Sequence, residues 1–267
     1  MFKLSTVVAP TRSDKILEEF EKGLKFCATL KLDGVELSIP NPWKIDGRSL
    51  KKLVESYGLE ISAISTGLGN VWYGWSLSSK DEQLREKAVS AIKKHIEEAT
   101  YLNAPVIVGL IRGIGEESLS DALKTFEESL VKCVEHAEDH GITLLLEPIN
   151  RYETKLINTV KEAKWIIKRV NSKRLKLMVD TYHMNIEESS IGASIIDVKD
   201  LLAYVHVADS NRLAPGRGHI DFKDFLALLN ILNYNNYLSL EITPLPSFEE
   251  AVKTGVVYLR TIIMLLE

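Results

Sequence analysis

Cysteine is scarce in this chain of 267 residues, which contains only Cys27 and Cys133. Both lie in stretches of helical periodicity, and two residues cannot form the dense disulfide framework that holds small secreted domains together. We therefore expect two buried thiols in a protein that is compatible with the reducing cytoplasm.

Long apolar runs and an excess of positive charge are also missing. The N-terminal segment MFKLSTVVAPTRSDK has an apolar stretch too short for a signal peptide or a membrane span, and Pro10 interrupts it. The net charge is −4, so no overall field favours nucleic acid or an anionic membrane. These features predict a cytoplasmic protein that binds neither a membrane nor nucleic acid.

The composition that remains is ordinary for a soluble globular protein, with 45% hydrophobic and 26% charged residues. The length exceeds that of a usual single domain but matches the roughly 250 residues of a (β/α)8 barrel. No linker rich in proline, glycine or serine, no low-complexity tract and no solenoid repeat marks a second domain. We expect one catalytic domain over residues 1–267.

Short β-rich runs alternate along the chain with longer stretches of helical periodicity. Two capping boxes mark helix starts, at Thr159 with Glu162 and at Ser247 with Glu250. Alternating βα units with right-handed crossovers produce a parallel sheet covered by helices, and eight such units close a TIM barrel. The predicted strands cover about 2–8, 33–38, 60–66, 105–110, 142–147, 175–180, 203–208 and 237–242.

Four acidic or imidazole side chains stand at the predicted ends of strands five to eight, about one βα unit apart. Barrel enzymes build their sites at these carboxyl ends. Alone, a carboxylate at a strand end is more often a helix cap or a loop ligand, but four in matching register predict one site. We call this set the acid–histidine cluster, and its members are Glu147, Asp180, His206 and Glu241.

The acid–histidine cluster has the chemistry of a metal site. Three carboxylates and one imidazole form a hard, oxygen-rich set of ligands for a divalent cation. Burying three carboxylates together without a cation costs several kcal/mol per charge or forces protonation. A bound divalent metal removes that conflict.

Four long motifs in the C-terminal half carry a family resemblance: EPINRYET, DTYHMNIEE, HVADSNRLAPGRGHIDF and LSLEI. The chain resembles the D-tagatose 3-epimerase branch of the sugar isomerase/epimerase superfamily, which has the xylose isomerase-like TIM barrel. The resemblance implies that the acid–histidine cluster binds one divalent metal, commonly Mn²⁺, with Mg²⁺ and Co²⁺ as alternatives. It also implies proton transfer by Glu147 and Glu241, and substrate hydrogen bonds from Glu153, His183 and Arg212. Family members assemble as dimers or tetramers, which implies a homo-oligomer.

The expected reaction is the epimerisation of a ketose or a keto-sugar acid. Inverting a carbon next to a ketone requires removal of a weakly acidic C–H proton and its return to the opposite face. A metal held by the carbonyl and a neighbouring hydroxyl stabilises the enediolate oxygen. Glu147 and Glu241, facing each other across the substrate, would act as acid and base.

Substrate preference is expected in the loops of the N-terminal half. GLGNVWYGWSL supplies Trp72, Tyr73 and Trp75, whose faces suit the C–H surfaces of a sugar, although they are equally suited to packing within the loop. Arg112, after strand four, would reach the mouth and clamp a carboxylate, which suggests a keto-sugar acid such as a ketogluconate or tagaturonate beside the option of a neutral ketohexose. A salt bridge to a nearby acid is the alternative for Arg112.

Several other functions fit parts of the pattern. An aldose–ketose isomerase of the hydroxypyruvate type or an inosose dehydratase would use nearly the same metal ligands. An endonuclease IV-like enzyme needs further histidines after strands three and four, where this chain has STG and GLIRG, and a DNA groove would show basic clustering. A non-catalytic sugar-binding barrel would have no need for both glutamates.

Overall fold

All eight apolar runs form parallel strands in a computed structural model, which describes residues 2–12, 16–115 and 118–266. Each strand pairs with the next along the chain and the last pairs with the first, so the sheet closes. The predicted (β/α)8 barrel is confirmed. The strands are β1 (Lys3–Val8), β2 (Gly34–Ser38), β3 (Glu60–Ser65), β4 (Val106–Val108), β5 (Leu144–Leu146), β6 (Leu175–Asp180), β7 (Leu202–Val207) and β8 (Tyr237–Leu240).

The strands β4 and β5 are shorter than the sequence pattern indicated. After β4 the chain enters a 3-10 turn at Leu110–Arg112, which ends the ladder early. After β5 it enters a loop, and Glu147 is the first residue of that loop. The backbone N–H of Glu147 still donates to the Val108 carbonyl at 3.3 Å, so strand pairing fixes the start of the loop.

Helices follow the strands and cover the outside of the barrel. Their apolar faces are buried against the sheet, as shown by Ile92 and Ile96 on one helix and Phe126 and Leu130 on the next. The helices are α1 (Ile16–Thr29), α2 (Gly47–Ser56), α3 (Gly67–Tyr73), α4 (Glu82–Leu102), α5 (Leu119–His140), α6 (Val160–Val170), α7 (Thr181–Glu187), α8 (Ile191–Val198), α9 (Phe222–Ile231) and α10 (Phe248–Leu266).

The interior of the barrel is filled with side chains rather than open. An apolar layer contains, among others, Met178, Tyr204 and Tyr237. Polar side chains, including Glu36 and Ser239, are buried inside the same sheet. The barrel therefore has a closed floor, and the cluster lies above it at the carboxyl ends of the strands.

Both predicted thiols are free and buried, at Cys27 and Cys133. In the ranges 2–12, 16–115 and 118–266, no helix combines the length and the apolar character that a bilayer-spanning segment requires.

The capping box of α6 is complete. The Thr159 hydroxyl accepts from the Glu162 N–H at 3.2 Å, and the Glu162 carboxylate accepts from the Thr159 N–H at 3.1 Å. At α10 the Ser247 hydroxyl accepts from the Glu250 N–H at 3.2 Å, which is the first half of the second box. These bonds satisfy N–H groups that have no partner within the helix.

The substitution Thr159→Ala should lower the free energy of unfolding by about 1 kcal/mol, because the Glu162 N–H at the start of α6 loses its acceptor. Urea denaturation of the two proteins measures this difference. The matched control is Ser118→Ala, since the Ser118 hydroxyl precedes α5 without accepting from a backbone N–H of that helix. Equal losses in the two variants would contradict a specific contribution from the cap.

Candidate metal centre and active site

The acid–histidine cluster is assembled by the ends of four adjacent strands. Asp180 is the last residue of β6 and lies beside His206 of β7 in the register of the two strands. Glu147 and Glu241 are the first residues after β5 and β8. One ligand atom from each of the four lies within 4.8 Å of all the others. Residues far apart in sequence thus converge on one point.

The donor atoms at this point suit a divalent cation. His206 Nδ1 lies 3.6 Å from Glu147 Oε1 and 3.5 Å from Glu241 Oε2. Glu147 Oε1, Asp180 Oδ2 and His206 Nδ1 are all buried, and none has a hydrogen-bond partner among the described residues. Buried polar atoms without partners are costly, and a cation would satisfy all three. The residues present therefore fit a hard metal ion.

The electrostatics of the cluster support the same conclusion. Burial raises the pKa of Asp180 to about 8, and the charge of Glu241 adds to this effect. Burial likewise raises the pKa of Glu147. Burial also opposes charge on Glu241 and His206, but it is outweighed: His206 and Arg212 lower the pKa of Glu241, and Glu36 and Glu241 raise that of His206. Without a cation the cluster therefore retains protons, which a bound divalent ion would replace.

Arg212 connects the cluster to the next group of polar residues. Its guanidinium donates to Glu241 at 2.9 Å and to Glu153 at 2.7 Å, and it lies 4.9 Å from the centre of the Tyr182 ring. Because both carboxylates are bound by one planar group, Arg212 fixes their separation. Arg212 lies in the β7–α9 loop, and its backbone has a φ of 60°, which is a left-handed conformation.

A second chain of hydrogen bonds sets the orientation of His183. The amide nitrogen of Asn150 donates to His183 Nδ1 at 2.7 Å and to Glu153 at 3.0 Å. Since an amide nitrogen can only donate, His183 Nδ1 accepts and the ring hydrogen is on Nε2. Burial lowers the pKa of His183 to about 3, which keeps the ring neutral. Its Nε2 lies 3.9 Å from both Glu147 and Asp180 and is a donor at the edge of the cluster.

A cavity opens above the cluster, and its two sides differ in chemistry. The charged side carries Glu147, Glu153, His183, His206, Arg212 and Glu241. The opposite wall is formed by residues of β2 to β4, α3 and the β5–α6 loop. It consists of serine hydroxyls, apolar side chains and the backbone of glycine residues. Its members are Ser38, Ser65, Gly67, Leu68, Val71, Ile107, Gly109, Leu110 and Ile149.

The prediction that Arg112 reaches the mouth is wrong. Its side chain is completely buried, and its guanidinium donates to the backbone carbonyl of Glu147. The 3-10 turn after β4 directs Arg112 under the end of β5, away from the cavity. Among the described residues no carboxylate forms a salt bridge with Arg112, and the observed acceptor is a backbone carbonyl.

The tryptophan and tyrosine side chains after β3 do not line the cavity. Tyr73 stacks on Trp75 at 4.7 Å between ring centres, and Trp72 lies edge-on to Tyr73 at 6.4 Å. Trp43 packs against Trp75, so the rings form a cluster behind α3. The alternative of packing within the loop is therefore the one that the structure shows. The side chains of α3 that do face the cavity are Leu68 and Val71.

Three polar residues of the site were not anticipated from the sequence. Glu36, in the middle of β2, accepts from His206 Nε2 at 2.7 Å. Asn150 lies within the EPINRYET motif but was not assigned a role. Ser38, at the end of β2, lines the cavity. A charged residue inside the apolar run of a strand was the available signal for Glu36.

A family model described as Xylose isomerase-like TIM barrel matches residues 24–262. An L-ribulose 3-epimerase of Methylomonas sp. (strain DH-1) is 30% identical over 225 residues, which are 82% of this chain and 77% of that protein. A 3-dehydro-D-guloside 4-epimerase of Escherichia coli (strain K12) is 28% identical over 242 residues, which are 85% of this chain and 87% of that protein.

A crystal structure provides a similar match. The D-allulose 3-epimerase from Methylomonas sp. in complex with D-allulose superposes with a TM-score of 0.81 at 26% sequence identity, covering 96% of this chain and 89% of the other. The resemblance to the ketose epimerases is thereby confirmed. The chain belongs to the xylose isomerase-like TIM barrel family, in the branch that contains the ketose 3-epimerases.

Proposed function

We propose that this protein is a divalent-metal-dependent epimerase that inverts a carbon next to the carbonyl of a neutral ketose. The observation that carries the proposal is the convergence of Glu147, Asp180, His206 and Glu241, with three buried donor atoms that lack partners. The similarity to named sugar epimerases supports the reaction class.

The acid–histidine cluster would hold the metal, and Mn²⁺ is the ion that we propose. When bound, the ion supplies a Lewis acid that stabilises negative charge on the oxygens next to the reacting carbon. In this scheme Asp180 and His206 only bind the metal ion. Glu147 and Glu241 bind it and also exchange protons with the substrate.

In the proposed reaction the two glutamates work on opposite faces of one carbon. In support, they follow strands that are separated by β6 and β7, and their carboxylates lie at nearly equal distances from His206 Nδ1. One carboxylate removes the C–H proton, and the other, as a carboxylic acid, returns a proton to the opposite face. In the reverse reaction the roles are exchanged.

The neighbouring polar groups would bind and orient the ketose. Arg212 holds Glu241 and Glu153 in fixed positions, so that Glu241 cannot turn away from the substrate. His183 offers its Nε2–H as a donor, and Glu153 offers its second carboxylate oxygen as an acceptor for a sugar hydroxyl. The hydrogen bond from the Asn150 amide to His183 Nδ1 keeps the ring hydrogen of His183 on Nε2.

The charge pattern of the cavity favours a neutral ketose over a keto-sugar acid. Among the described residues that line it, Arg212 is the one arginine or lysine, and two carboxylates already bind its guanidinium. Among the described lining residues, a substrate carboxylate would therefore find no lysine or arginine free to pair with it. The buried position of Arg112 removes the argument for a ketogluconate or tagaturonate.

The relatives also separate this proposal from its rivals. An aldose–ketose isomerase or an inosose dehydratase would use similar ligands, but the named relatives described above are epimerases. A nuclease with several metals needs ligands after β3 and β4, and the cavity there is lined by Ser65 and Gly109. In the described part of the chain, the acid–histidine cluster is the one group with metal-ligand geometry.

Glu147→Gln and Glu241→Gln should each lower epimerisation at least about 100-fold, because an amide can neither remove nor return the proton. The measurement is deuterium incorporation from D2O into a panel of neutral ketohexoses and ketopentoses with Mn²⁺-loaded protein, followed by NMR. Glu127→Gln is the matched control, since Glu127 pairs with Arg169 on the outer helices. Full exchange in either glutamate variant would refute its role in proton transfer.

Because Gly109 has no side chain, the Glu147 carboxylate can occupy the space beside its Cα atom. A Cβ atom at position 109 would lie 2.5 Å from Glu147 Oε2, which is closer than real contacts allow. The substitution Gly109→Ala should therefore displace Glu147 and lower kcat at least about tenfold. Gly192→Ala serves as the control, because its added methyl group meets only Leu228 at an ordinary 3.5 Å. Unchanged kcat in Gly109→Ala would show that Glu147 does not act from this position.

Binding of Mn²⁺ should stabilise the fold, because the cation neutralises the buried carboxylates of the cluster. At a free metal concentration of about 100 times Kd, the expected gain is about 2.7 kcal/mol, measured as a rise in Tm after EDTA treatment and metal addition. Asp180→Asn keeps the shape but removes one charge, and it should reduce the rise in Tm. A rise of equal size in Asp180→Asn would contradict metal binding at this site.

A further inference from the structure

We propose that Glu36 is a positioning residue that presents His206 to the metal through Nδ1. This inference rests on the metal centre of the proposed function. Glu36 lies in the middle of β2, on the side of the barrel opposite to the cluster's own strands, and its side chain is fully buried. No part of the epimerisation scheme requires Glu36 to contact the sugar.

The contact between the two residues fixes the tautomer of the imidazole. His206 Nε2 lies 2.7 Å from Glu36 Oε2. The same Oε2 accepts from the hydroxyls of Tyr204 and Ser239, so it accepts from His206 as well, and Nε2 carries the hydrogen of this bond. The other nitrogen, Nδ1, then points to Glu147 and Glu241 at 3.6 and 3.5 Å, where the ligand atoms of the cluster meet. A carboxylate that binds the distal nitrogen also makes the imidazole a stronger ligand.

The Glu36 carboxylate is itself held from several strands. The same Oε2 accepts from the Tyr204 hydroxyl at 3.0 Å and from the Ser239 hydroxyl at 3.2 Å. The Tyr204 hydroxyl is also 2.8 Å from Ser62 on β3. Residues of β3, β7 and β8 thus keep Glu36 from rotating, and the His206 ring cannot turn without breaking this arrangement.

The charge of Glu36 is difficult to explain by packing alone. Its Oε1 is buried and has no hydrogen-bond partner among the described residues. A buried carboxylate with one unsatisfied oxygen is less favourable to stability than an apolar side chain of similar volume. The residues Val35 and Leu37 on either side of it are apolar and fully buried. A carboxylate at this position is instead what a histidine ligand of a cation requires.

Two substitutions separate the hydrogen bond from the charge. In Glu36→Gln the amide oxygen still accepts from His206 Nε2, but the negative charge is lost, and we expect Mn²⁺ affinity to fall about tenfold. In Glu36→Leu both are lost, and the expected fall is about 100-fold. The control is Glu98→Gln, which makes the same change at a buried glutamate of the outer helix α4, where the carboxylate accepts from the Gly47 N–H and contacts neither Glu36 nor His206. Its affinity for Mn²⁺ should stay within about twofold of the parent protein.

The measurement is isothermal titration calorimetry with Mn²⁺ in the absence of sugar, combined with the visible spectrum of the Co²⁺-loaded proteins. The absorption bands of saturated Glu36→Gln should shift from those of the parent, because its His206 is a weaker ligand, whereas Glu98→Gln should match the parent. Circular dichroism establishes that each variant is folded, and Glu36→Gln alone decides the matter if Glu36→Leu does not fold.

Parent-like affinity and spectrum in Glu36→Gln would overturn the proposal, as would an equal loss of affinity in Glu98→Gln. Because these experiments contain no substrate, their outcome is independent of the epimerase activity. A protein that binds Mn²⁺ with the expected ranking of variants, but exchanges no deuterium with any ketose, would refute the proposed reaction and leave the role of Glu36 standing.

Discussion

Closure of the sheet between β1 and β8 is the constraint on which the site depends. In a flat sheet, strands lie about 4.8 Å apart, so the ends of β5 and β8 would be separated by roughly 14 Å. In the closed barrel the ligand atoms of Glu147 and Glu241 lie within 4.8 Å of each other. The curvature that brings them together also directs both carboxylates towards His206 on β7. The convergence of the acid–histidine cluster is thus a product of barrel geometry.

The sequence was sufficient to predict the fold and the acid–histidine cluster, because both depend on a repeated pattern. Eight apolar runs separated by helical stretches specify the barrel, and the strand ends share one rim. A residue just after such a run, like Asp180 or Glu241, therefore has a position in space as soon as its strand is recognised. Glu153, His183 and Arg212 followed from motifs, and the structure places all three around the cavity.

The remaining features depend on contacts that no local pattern encodes. Arg112 follows an apolar run just as Glu147 does, but a 3-10 turn redirects its side chain beneath the rim. The sequence suited Trp72 and Tyr73 equally to sugar contact and to packing within the loop. The structure shows packing, because Tyr73 stacks on Trp75 and Trp72 lies edge-on to Tyr73. The acceptor of the His206 hydrogen bond comes from β2, far away in sequence, and only the closed barrel brings Glu36 next to it.

The cavity wall opposite the cluster has a different origin in the chain from the cluster itself. Apart from Ile149, its residues lie between Ser38 and Leu110, whereas the charged side begins at Glu147. On the proposed mechanism, the reacting carbons of a sugar lie over the glutamates and the rest of the molecule extends towards this wall. A substitution at Leu68 or Val71 alters the shape that the sugar meets without touching a group that holds a cation or a proton. Sugar preference can consequently diverge within such a barrel while the reaction is preserved, because the two properties are inherited from separate stretches of the gene.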